Sequence, residues 1–377
     1  MPTTLGYAEP VDDEFAHETF PSKIGGQPRW LDPTQPLAAD AVACDECTKP
    51  MALLMQLSAP DDKPEAFHRM LYVFACRNGV CHKAGASRCM RVFRAQLPET
   101  SPVYTERALS TASGDDGDDV EWVLSDHVQA APTCAVCGLL GNKACSKCHT
   151  RRYCSRAHQV ADWDAGHKAQ CGSTAQPTAD HAKKLGRMAF PEHVIVSEEE
   201  PAESDNDDDD DGEDTEQIQS DSMAVVPVTN ERVEDSEVEV DPAFMQFQRR
   251  IQREPDQVLR YARSPGSDVC DPLFVSDANT PAHIDDCELC GEPRQFEFQI
   301  MPQMLNHLEL DSMDPNSVDW GTLLVYSCPR SCPPREAFVR EVLYRQNFSS
   351  HGIGQKYLRA YHGDETAFSA QFESLDV

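Results

Sequence analysis

One stretch of the chain places eight candidate metal ligands at regular spacing, and it constrains the fold more than any other feature. The pattern is Cys-x2-Cys-x7-Cys-x2-Cys-x5-Cys-x3-His-x8-His-x3-Cys, formed by Cys134, Cys137, Cys145, Cys148, Cys154, His158, His167 and Cys171. Cysteine and histidine pairs separated by two or three residues are typical of tetrahedral zinc sites. Eight such ligands predict two zinc ions, and a unit this small depends on its metal for most of its folding energy.

Two further sets of cysteines flank this stretch. Each set has a Cys-x2-Cys pair, two strand-like runs and a closing cysteine pair; the members are Cys44, Cys47, Cys76 and Cys81, and Cys287, Cys290, Cys328 and Cys332. The shared order predicts two distantly related halves, each with one more four-cysteine zinc site. Cys89 and Cys270 are not assigned to any site, and the spacing leaves open whether Cys89 replaces Cys81 as a ligand.

The chain carries no sign of an oxidising compartment. Its N-terminus has neither a basic segment nor an apolar one, which predicts that it has no signal peptide. The longest apolar run, Met51–Leu57, is far too short to span a membrane. We therefore expect an intracellular protein, in which the 16 cysteines are better candidates for metal ligands than for disulfides.

The charge is strongly negative and unevenly distributed. Against 33 basic residues the chain has 64 acidic ones, a net charge of −31, and residues 198–240 alone hold 19 acidic residues and one arginine. Such a composition predicts a disordered segment, either a solvated linker or a polyanionic arm that screens a basic client. A shorter acidic break lies at Ser113–Asp119. Nucleic acid and anionic membranes would be repelled, so basic proteins are the more natural partners.

Local patterns predict strands in both halves and helices before the second one. Gln295–Met301 alternates apolar and polar residues, as a half-buried strand does, while Leu71–Cys76 and Leu323–Cys328 read as buried strands. Asp241 followed by proline predicts a helix start, and Pro255 predicts the start of a second helix that continues through residue 262.

A search for catalytic motifs is negative. The chain has no GxxxxGK[ST], HExxH or GxSxG motif, and Gly352-Ile353-Gly354 lacks the third glycine and preceding strand of a dinucleotide site. We therefore expect a non-enzyme with no catalytic residues and no organic cofactor.

The eight-ligand stretch closely resembles the MYND zinc finger. The resemblance implies interleaved ligand sets: Cys134, Cys137, Cys154 and His158 on one ion, and Cys145, Cys148, His167 and Cys171 on the other. His158 stands where that family usually has a cysteine. Four protein ligands leave no position for water, so these zinc ions would be structural.

Longer phrases outside the finger resemble the programmed cell death protein 2 family, in its finger-bearing branch. They include FPSKIGGQPRWL (20–31), CDECTKPMALLMQLSAP (44–60), AFHRMLYVFACRNGVC (66–81), DPAFMQFQRRIQREPDQVLRY (241–261) and CELCGEPRQFEFQIMPQMLNHLEL (287–310). In the first phrase, Gly25-Gly26 followed by Pro28 and Trp30 predicts a tight turn that delivers an aromatic side chain.

The predicted architecture is an α+β, zinc-stabilised chain in which two related β-rich cysteine halves flank the finger. The expected units are residues 1–112, an N-terminal cysteine-rich β domain; residues 134–171, the finger; residues 173–240, a disordered acidic linker; and residues 241–377, a C-terminal domain of the programmed cell death protein 2 type.

The resemblance also implies a function. It indicates a dedicated chaperone, or escort, of a newly made basic ribosomal protein, the S-two protein of the eukaryotic small subunit and counterpart of bacterial S-five. Extended client segments would pair with an exposed strand edge of either half. Proline-rich peptides are a second candidate partner, at the finger, and neither DNA nor a membrane is expected. The expected location is the cytoplasm, with the nucleus left open.

Two rival functions are retained. One is a nuclear adaptor whose finger binds proline-rich peptides of transcriptional corepressors, with the cysteine halves as scaffolding. The other is an enzyme of the MYND methyltransferase type or a RING-like ligase, although the halves show no recognisable methyl-donor site.

Overall fold

The computed structural model describes residues 3–12, 15–108, 120–173, 178–201, 241–262, 271–311, 314 and 316–348. Within them the strands are β1 Thr4–Pro10, β2 Lys23–Ile24, β3 Ala52–Ser58, β4 His68–Ala75, β5 Met90–Leu97, β6 Tyr104–Ala108, β7 Val120–Leu124, β8 Lys143–Ala144, β9 Arg152–Tyr153, β10 His193–Glu199, β11 Gln257–Tyr261, β12 Gln295–Ile300, β13 Thr322–Ser327 and β14 Val339–Gln346. The α-helices are α1 Ala86–Cys89, α2 Arg156–Asp162, α3 Lys168–Gln170, α4 Ala179–Gly186 and α5 Pro242–Arg253.

Shorter helical turns lie at Phe15–His17, Pro64–Ala66, Gly79–Ala84 and Pro302–His307, and a π-type turn at Trp163–His167 joins α2 to α3. In this described part of the chain, no helix combines the length and the apolar character needed to cross a bilayer. The acidic residues 202–240, the acidic break Ser113–Asp119, Cys270 and the chain after residue 348 lie outside the described residues.

Ten strands form one closed barrel, in the order β1-β10-β2-β3-β4-β5-β14-β13-β12-β11. All neighbouring pairs are antiparallel. The first cysteine half contributes β2 to β5 and the second contributes β11 to β14, and they meet where β5 pairs with β14. The halves that we expected as separate domains thus complete a single barrel. The predicted free edges are absent from β3, β4, β12 and β13, each of which has a neighbour on both sides.

The two halves follow the same plan. Each has a Cys-x2-Cys pair, a strand, a second strand, a closing cysteine pair and a third strand. The register of β3 against β4 shifts around Leu54, and that of β12 against β13 shifts around Glu297. Each shift falls ten residues after the first cysteine of its half, Cys44 or Cys287. The repeat predicted from cysteine spacing is therefore visible in the strand order and in the position of the bulge.

Charged side chains lie inside the barrel and join its halves. Arg69 on β4 donates to both oxygens of Glu297 on β12, at 2.5 and 2.8 Å, and both side chains are fully buried. Arg94 on β5 donates to Glu341 on β14 at 2.8 Å, and Arg294 donates to the other oxygen of Glu341 at 2.8 Å. Because a buried charge is costly without its partner, the Arg69–Glu297 and Arg94–Glu341 pairs hold the two halves in one relative position.

The strand predicted at Gln295–Met301 is present as β12, but it is not half-buried. Glu297 and Gln299 are 0% and 1% exposed. One face of β12 points into the barrel, and the other is covered by the preceding segment through Phe274 and Ile284. Closure of the barrel, which period-2 alternation alone does not reveal, buries both faces.

The helix predicted at Asp241 is confirmed, whereas the second helix predicted after Pro255 is wrong. The Asp241 carboxylate caps α5 by accepting a hydrogen bond from the backbone N–H of Phe244 at 3.1 Å. The residues after Pro255 instead form β11, which pairs with both β1 and β12. Pairing on two sides outweighs the weak helical preference of this short segment.

The linker predicted at 173–240 begins too early. Residues 178–201 contain α4 and β10, and β10 pairs along seven residues with β1 and at His193 and Val194 with β2. The β-branched run from Val194 to Val196 favours a strand, and Ile195 is buried in the core. This segment therefore closes the barrel, and only residues after 201 remain for the acidic arm.

The predicted turn at Gly25-Gly26 is present, and the aromatic side chain that follows it, Trp30, contacts the finger. Both glycines have positive φ, +62° and +65°, and a Cβ on Gly25 would lie 2.0 Å from the carbonyl oxygen of Pro191. Trp30, 9% exposed, packs on the ring of Tyr72 and donates from Nε1 to the carbonyl of Gly138 in the finger at 2.9 Å.

The internal charge pairs lead to a stability prediction. Replacement of Arg69 with methionine (Arg69→Met) should lower the free energy of unfolding by about 3–5 kcal/mol, because the buried carboxylate of Glu297 then loses the charge and both hydrogen bonds of Arg69. The double variant Arg69→Met/Glu297→Met should recover most of that loss. Arg107→Met breaks the exposed pair with Glu121, so it should cost less than about 1 kcal/mol. Denaturant titration measures all three; a double variant as unstable as the single one would contradict the prediction.

Candidate metal centres

The sixteen predicted ligands lie in four groups of four, and the ligand atoms of each group are all within 4.8 Å of one another. The groups are the N-terminal cluster (Cys44, Cys47, Cys76, Cys81), the first finger cluster (Cys134, Cys137, Cys154, His158), the second finger cluster (Cys145, Cys148, His167, Cys171) and the C-terminal cluster (Cys287, Cys290, Cys328, Cys332). Cys89 lies outside them: its buried thiol donates to the carbonyl of Gly85 at 3.4 Å. The geometry therefore places Cys81, rather than Cys89, in the N-terminal cluster.

The sulfur–sulfur distances fit a shared metal ion. They are 3.7 Å for Cys47–Cys76, 3.6 Å for Cys137–Cys154, 3.9 Å for Cys145–Cys171 and 3.7 Å for Cys290–Cys328. A tetrahedron with metal–sulfur bonds of about 2.3 Å has edges of about 3.8 Å, whereas a disulfide bond is about 2.05 Å long. All described cysteines are free thiols.

The two finger histidines complete their groups through different ring nitrogens. Nδ1 of His158 lies 3.2 Å from the sulfur of Cys154 and 3.6 Å from that of Cys134. Nε2 of His167 lies 3.6 Å from the sulfur of Cys148. The finger thus offers two sites of three sulfurs and one nitrogen, a donor set that suits zinc.

Each Cys-x2-Cys pair is folded by the same local device. The residue after its second cysteine has positive φ and donates its N–H to the carbonyl of the first cysteine. These residues, with φ and N···O distance, are Thr48 (+58°, 2.8 Å), Gly138 (+70°, 2.9 Å), His149 (+58°, 2.9 Å) and Gly291 (+72°, 2.8 Å). The tight turn brings both thiols to one side, where they can share an ion. The glycines at two of these positions were visible in the sequence, but the shared conformation was not.

The pKa shifts of the clustered thiols and of His158 indicate groups that a bound cation would stabilise. Burial raises the pKa of Cys76, which opposes formation of its thiolate. Burial also lowers the pKa of His158, but Cys134 and Cys154 outweigh that effect and raise it to about 9. For Cys148, burial is outweighed by the N–H of Arg151 and the Thr150 hydroxyl, which lower the pKa to about 5. A divalent ion that binds thiolates would stabilise the ionised sulfurs in every group.

A buried carboxylate ties the finger to the helix that follows it. Asp162 is fully buried; it accepts a hydrogen bond from the Tyr153 hydroxyl at 2.7 Å and lies 2.7 Å from Nε2 of His181 on α4. Arg151 completes the set at 3.2 Å. Nothing in the sequence spacing of Asp162 marks it as buried.

The closing loop of the C-terminal cluster is held by residues of the first half. Both terminal nitrogens of Arg94 donate to the carbonyl of Cys332 at 3.1 Å, and Gln96 donates to the carbonyl of Ser331 at 2.9 Å. The Ser331 hydroxyl in turn donates to Asp61 at 2.6 Å. Ser331 has a φ of +44°, so these contacts stabilise a loop conformation that serine seldom adopts.

The N-terminal cluster receives the reciprocal support from the second half. Arg345 on β14 donates to the carbonyl of His82 at 2.8 Å, and Nε2 of His82 lies 2.7 Å from the carbonyl of Cys76. Each outer cluster is thus supported by the half that does not contain it. Sequence reasoning missed these contacts, because the only signal was a set of polar residues within buried strands.

Three family models match the chain. Residues 2–111 match the N-terminal domain of programmed cell death protein 2, residues 241–351 match its C-terminal domain, and residues 134–171 match the MYND finger. No solved structure gives a match.

Similar proteins cover most of the chain. "Programmed cell death protein 2" of Mus musculus is 36% identical over 351 residues, 92% of this chain and 96% of the relative. "Programmed cell death protein 2-like" of Homo sapiens is 29% identical, over 83% of this chain and 86% of the relative. "Probable 20S rRNA accumulation protein 4" of Schizosaccharomyces pombe is 23% identical, over 88% and 92% of the two chains.

The reciprocal contacts predict a crossed response to mutation. Gln96→Ala, in the first half, should expose the C-terminal cluster, and Arg345→Met, in the second half, should expose the N-terminal cluster. Residues that orient ligands change metal affinity by about 10–100-fold, so we expect cysteine alkylation in a chelator to quicken roughly tenfold. Mass spectrometry of the labelled peptides identifies the affected cluster.

The matched control is Arg330→Met. Arg330 lies within the closing loop, but its side chain is exposed and contacts Glu292 at 3.6 Å. Its loss should leave alkylation unchanged. Faster alkylation confined to the half that carries the substitution would contradict the crossed arrangement.

Proposed function

Because this chain belongs to the programmed cell death protein 2 family, we propose that it is a zinc-binding, non-enzymatic escort of a newly made basic protein of the small ribosomal subunit. The client is the S-two protein, captured in the cytoplasm and kept soluble until it is assembled. Ribosome biogenesis is supported by the name of the Schizosaccharomyces pombe relative, which concerns accumulation of 20S rRNA.

The observation that carries this proposal is the net charge of −31. Among the buried side chains of the described residues, positive and negative charges nearly cancel. The buried basic residues are Lys23, Arg69, Arg91, Arg94, Arg260 and Arg294, and the buried acidic residues are Asp61, Asp162, Asp241, Glu297 and Glu341. The negative excess is therefore carried by the surface and by residues outside the described part. A basic ribosomal protein that has not met its RNA is a natural partner for such a surface.

We further propose four zinc ions, two in the finger and one in each outer cluster. Every group supplies four soft or borderline ligands, which fill a tetrahedral ion and leave no position for a substrate. The metal would stabilise the fold, and binding would be the work of the surface. This division favours an escort over an enzyme.

The second candidate function is the nuclear adaptor that binds proline-rich peptides through its finger. One observation favours it: α2 leaves Val160 48% exposed, on a finger whose Gly138 side is already docked against the barrel. The proteins retained on the purified chain distinguish the two candidates, since a ribosomal protein and a corepressor are different clients.

The zinc proposal predicts a definite metal content. Elemental analysis of the purified chain should find four zinc ions, one for each group of ligands. Cys81→Ser should lower the content by one ion, because three ligands hold zinc poorly, whereas Cys89→Ser should leave it unchanged because Cys89 lies outside the cluster. A content of two or fewer would remove the outer clusters from the proposal.

The escort proposal predicts the behaviour of the client. The S-two protein should be insoluble when expressed alone and soluble when co-expressed with this chain, and salt should weaken the complex because surface charge dominates the association. The double variant Cys44→Ser/Cys287→Ser, which disrupts both outer clusters, should fail to rescue it. The control, Cys89→Ser, should rescue it fully. A client that is equally soluble without the chain, or equally rescued by the double variant, would refute the proposed function.

A further inference from the structure

The junction of the barrel between β10 and β2 is incomplete. Strand β2 is only two residues long, and it pairs with β10 at His193 and Val194 alone. Beyond this point β10 continues to Glu199 with β1 on one side. Within the described residues no strand lies on its other side, so the final part of β10 is a strand edge.

Two backbone hydrogen bonds define which amides face this edge. The N–H of Ile195 donates to Ser22, toward β2, at 2.9 Å, and the N–H of Glu200 donates to Thr3, toward β1, at 2.8 Å. Backbone groups in an antiparallel strand point alternately to its two sides. The N–H and carbonyl groups of Ser197 and Glu199 therefore point toward the edge, whereas those of Glu198 point toward β1.

The edge is open because the chain before β2 turns away from it. Phe20 packs against His68 and Tyr104, at centroid distances of 4.9 and 4.8 Å. Thr19 donates its hydroxyl to the carbonyl of Trp122 at 2.8 Å. These contacts draw the segment that would otherwise extend β2 toward the hairpin of β6 and β7.

The edge is exposed and acidic. Val196 is 36% exposed, and Ser197, Glu198 and Glu199 are exposed as well. Glu200 is paired with Arg260 at 2.8 Å, but no described cation lies in ion-pair contact with Glu198 or Glu199. In the sequence, the acidic residues 202–240 follow almost immediately.

We propose that the edge at Ser197–Glu199 is the docking site for an extended, basic segment of the client, which adds a strand beside β10. The inference rests on the proposed function and assigns it a place on the molecule. Backbone hydrogen bonds to Ser197 and Glu199 hold the segment in register, and its Lys or Arg side chains lie beside Glu198 and Glu199.

Charge explains why the occupant is basic rather than a second copy of this chain. An unpaired edge is a template for any extended strand, and proteins protect such edges with charges. Two acidic edges repel one another, so the carboxylates oppose self-association. The same charges attract a basic segment, which makes the edge selective.

Hydrogen exchange of the full-length chain tests the proposal directly. In the free protein the amides of Ser197 and Glu199 should exchange quickly, while that of Glu198 is protected by β1. In the complex with the co-expressed S-two protein, the amides of Ser197 and Glu199 should become at least about tenfold slower. The Glu198 amide serves as the internal reference.

A proline substitution tests the contribution of the Ser197 N–H, which points toward the edge. Ser197→Pro removes one N–H that does not pair with β1, and proline is tolerated where the N–H of an edge strand faces solvent. We expect client binding to weaken about tenfold or more, as loss of a backbone hydrogen bond implies, with zinc content unchanged. The matched control, Ser197→Ala, keeps the amide and should bind as the wild type does.

The outcomes separate the edge from the function it serves. One outcome is that the wild type and Ser197→Pro retain the client equally, without slower exchange at Ser197 and Glu199 in the wild-type complex. That result would overturn the edge assignment and leave the proposed function standing. A wild-type chain that retains no S-two protein would overturn both. Slower exchange at both amides, with weaker binding by Ser197→Pro, supports the docking site.

Discussion

The buried pair of Arg69 and Glu297 is the interaction on which the rest of the structure depends. The two residues come from strands that are not neighbours in the barrel and from opposite halves of the sequence. A full charge buried without its partner costs several kcal/mol, so neither half can reach its native interior alone. The chain therefore folds as one barrel, although its cysteine pattern reads as two units.

This interdependence extends to the outer metal clusters. The loop that carries Cys332 is held by Arg94, which also pairs with Glu341, and the loop after Cys76 is held through His82 by Arg345. Loss of one cluster would loosen strands that support the other. Because the contacts cross between halves in both directions, the outer clusters and the barrel form one cooperative unit.

The sequence predicted what depends on local spacing. The ligand pairs follow from cysteine and histidine intervals, whereas the interleaved grouping in the finger was implied by the resemblance to the MYND finger and the choice of Cys81 over Cys89 required the structure. The start of α5 follows from Asp241 and the proline after it. The sequence did not predict what depends on closure of the barrel. Examples are burial of Glu297, formation of β11 where a helix was expected, and recruitment of β10 from a supposed linker. In each case the decisive partner lies far away in the sequence, so no local window contains it.

Closure of the barrel also bears on where a partner can bind. Every strand of the barrel has a neighbour on each side over at least part of its length, and the final residues of β10 form an edge where a further strand can be added. The acidic residues after 201 are tethered to that edge by sequence, so their local concentration there is high whatever conformation they adopt. A basic segment that docks on β10 therefore meets both the unpaired backbone groups of the strand edge and a high local density of carboxylates. The backbone groups supply register, and the charge speeds encounter with basic clients and repels acidic proteins.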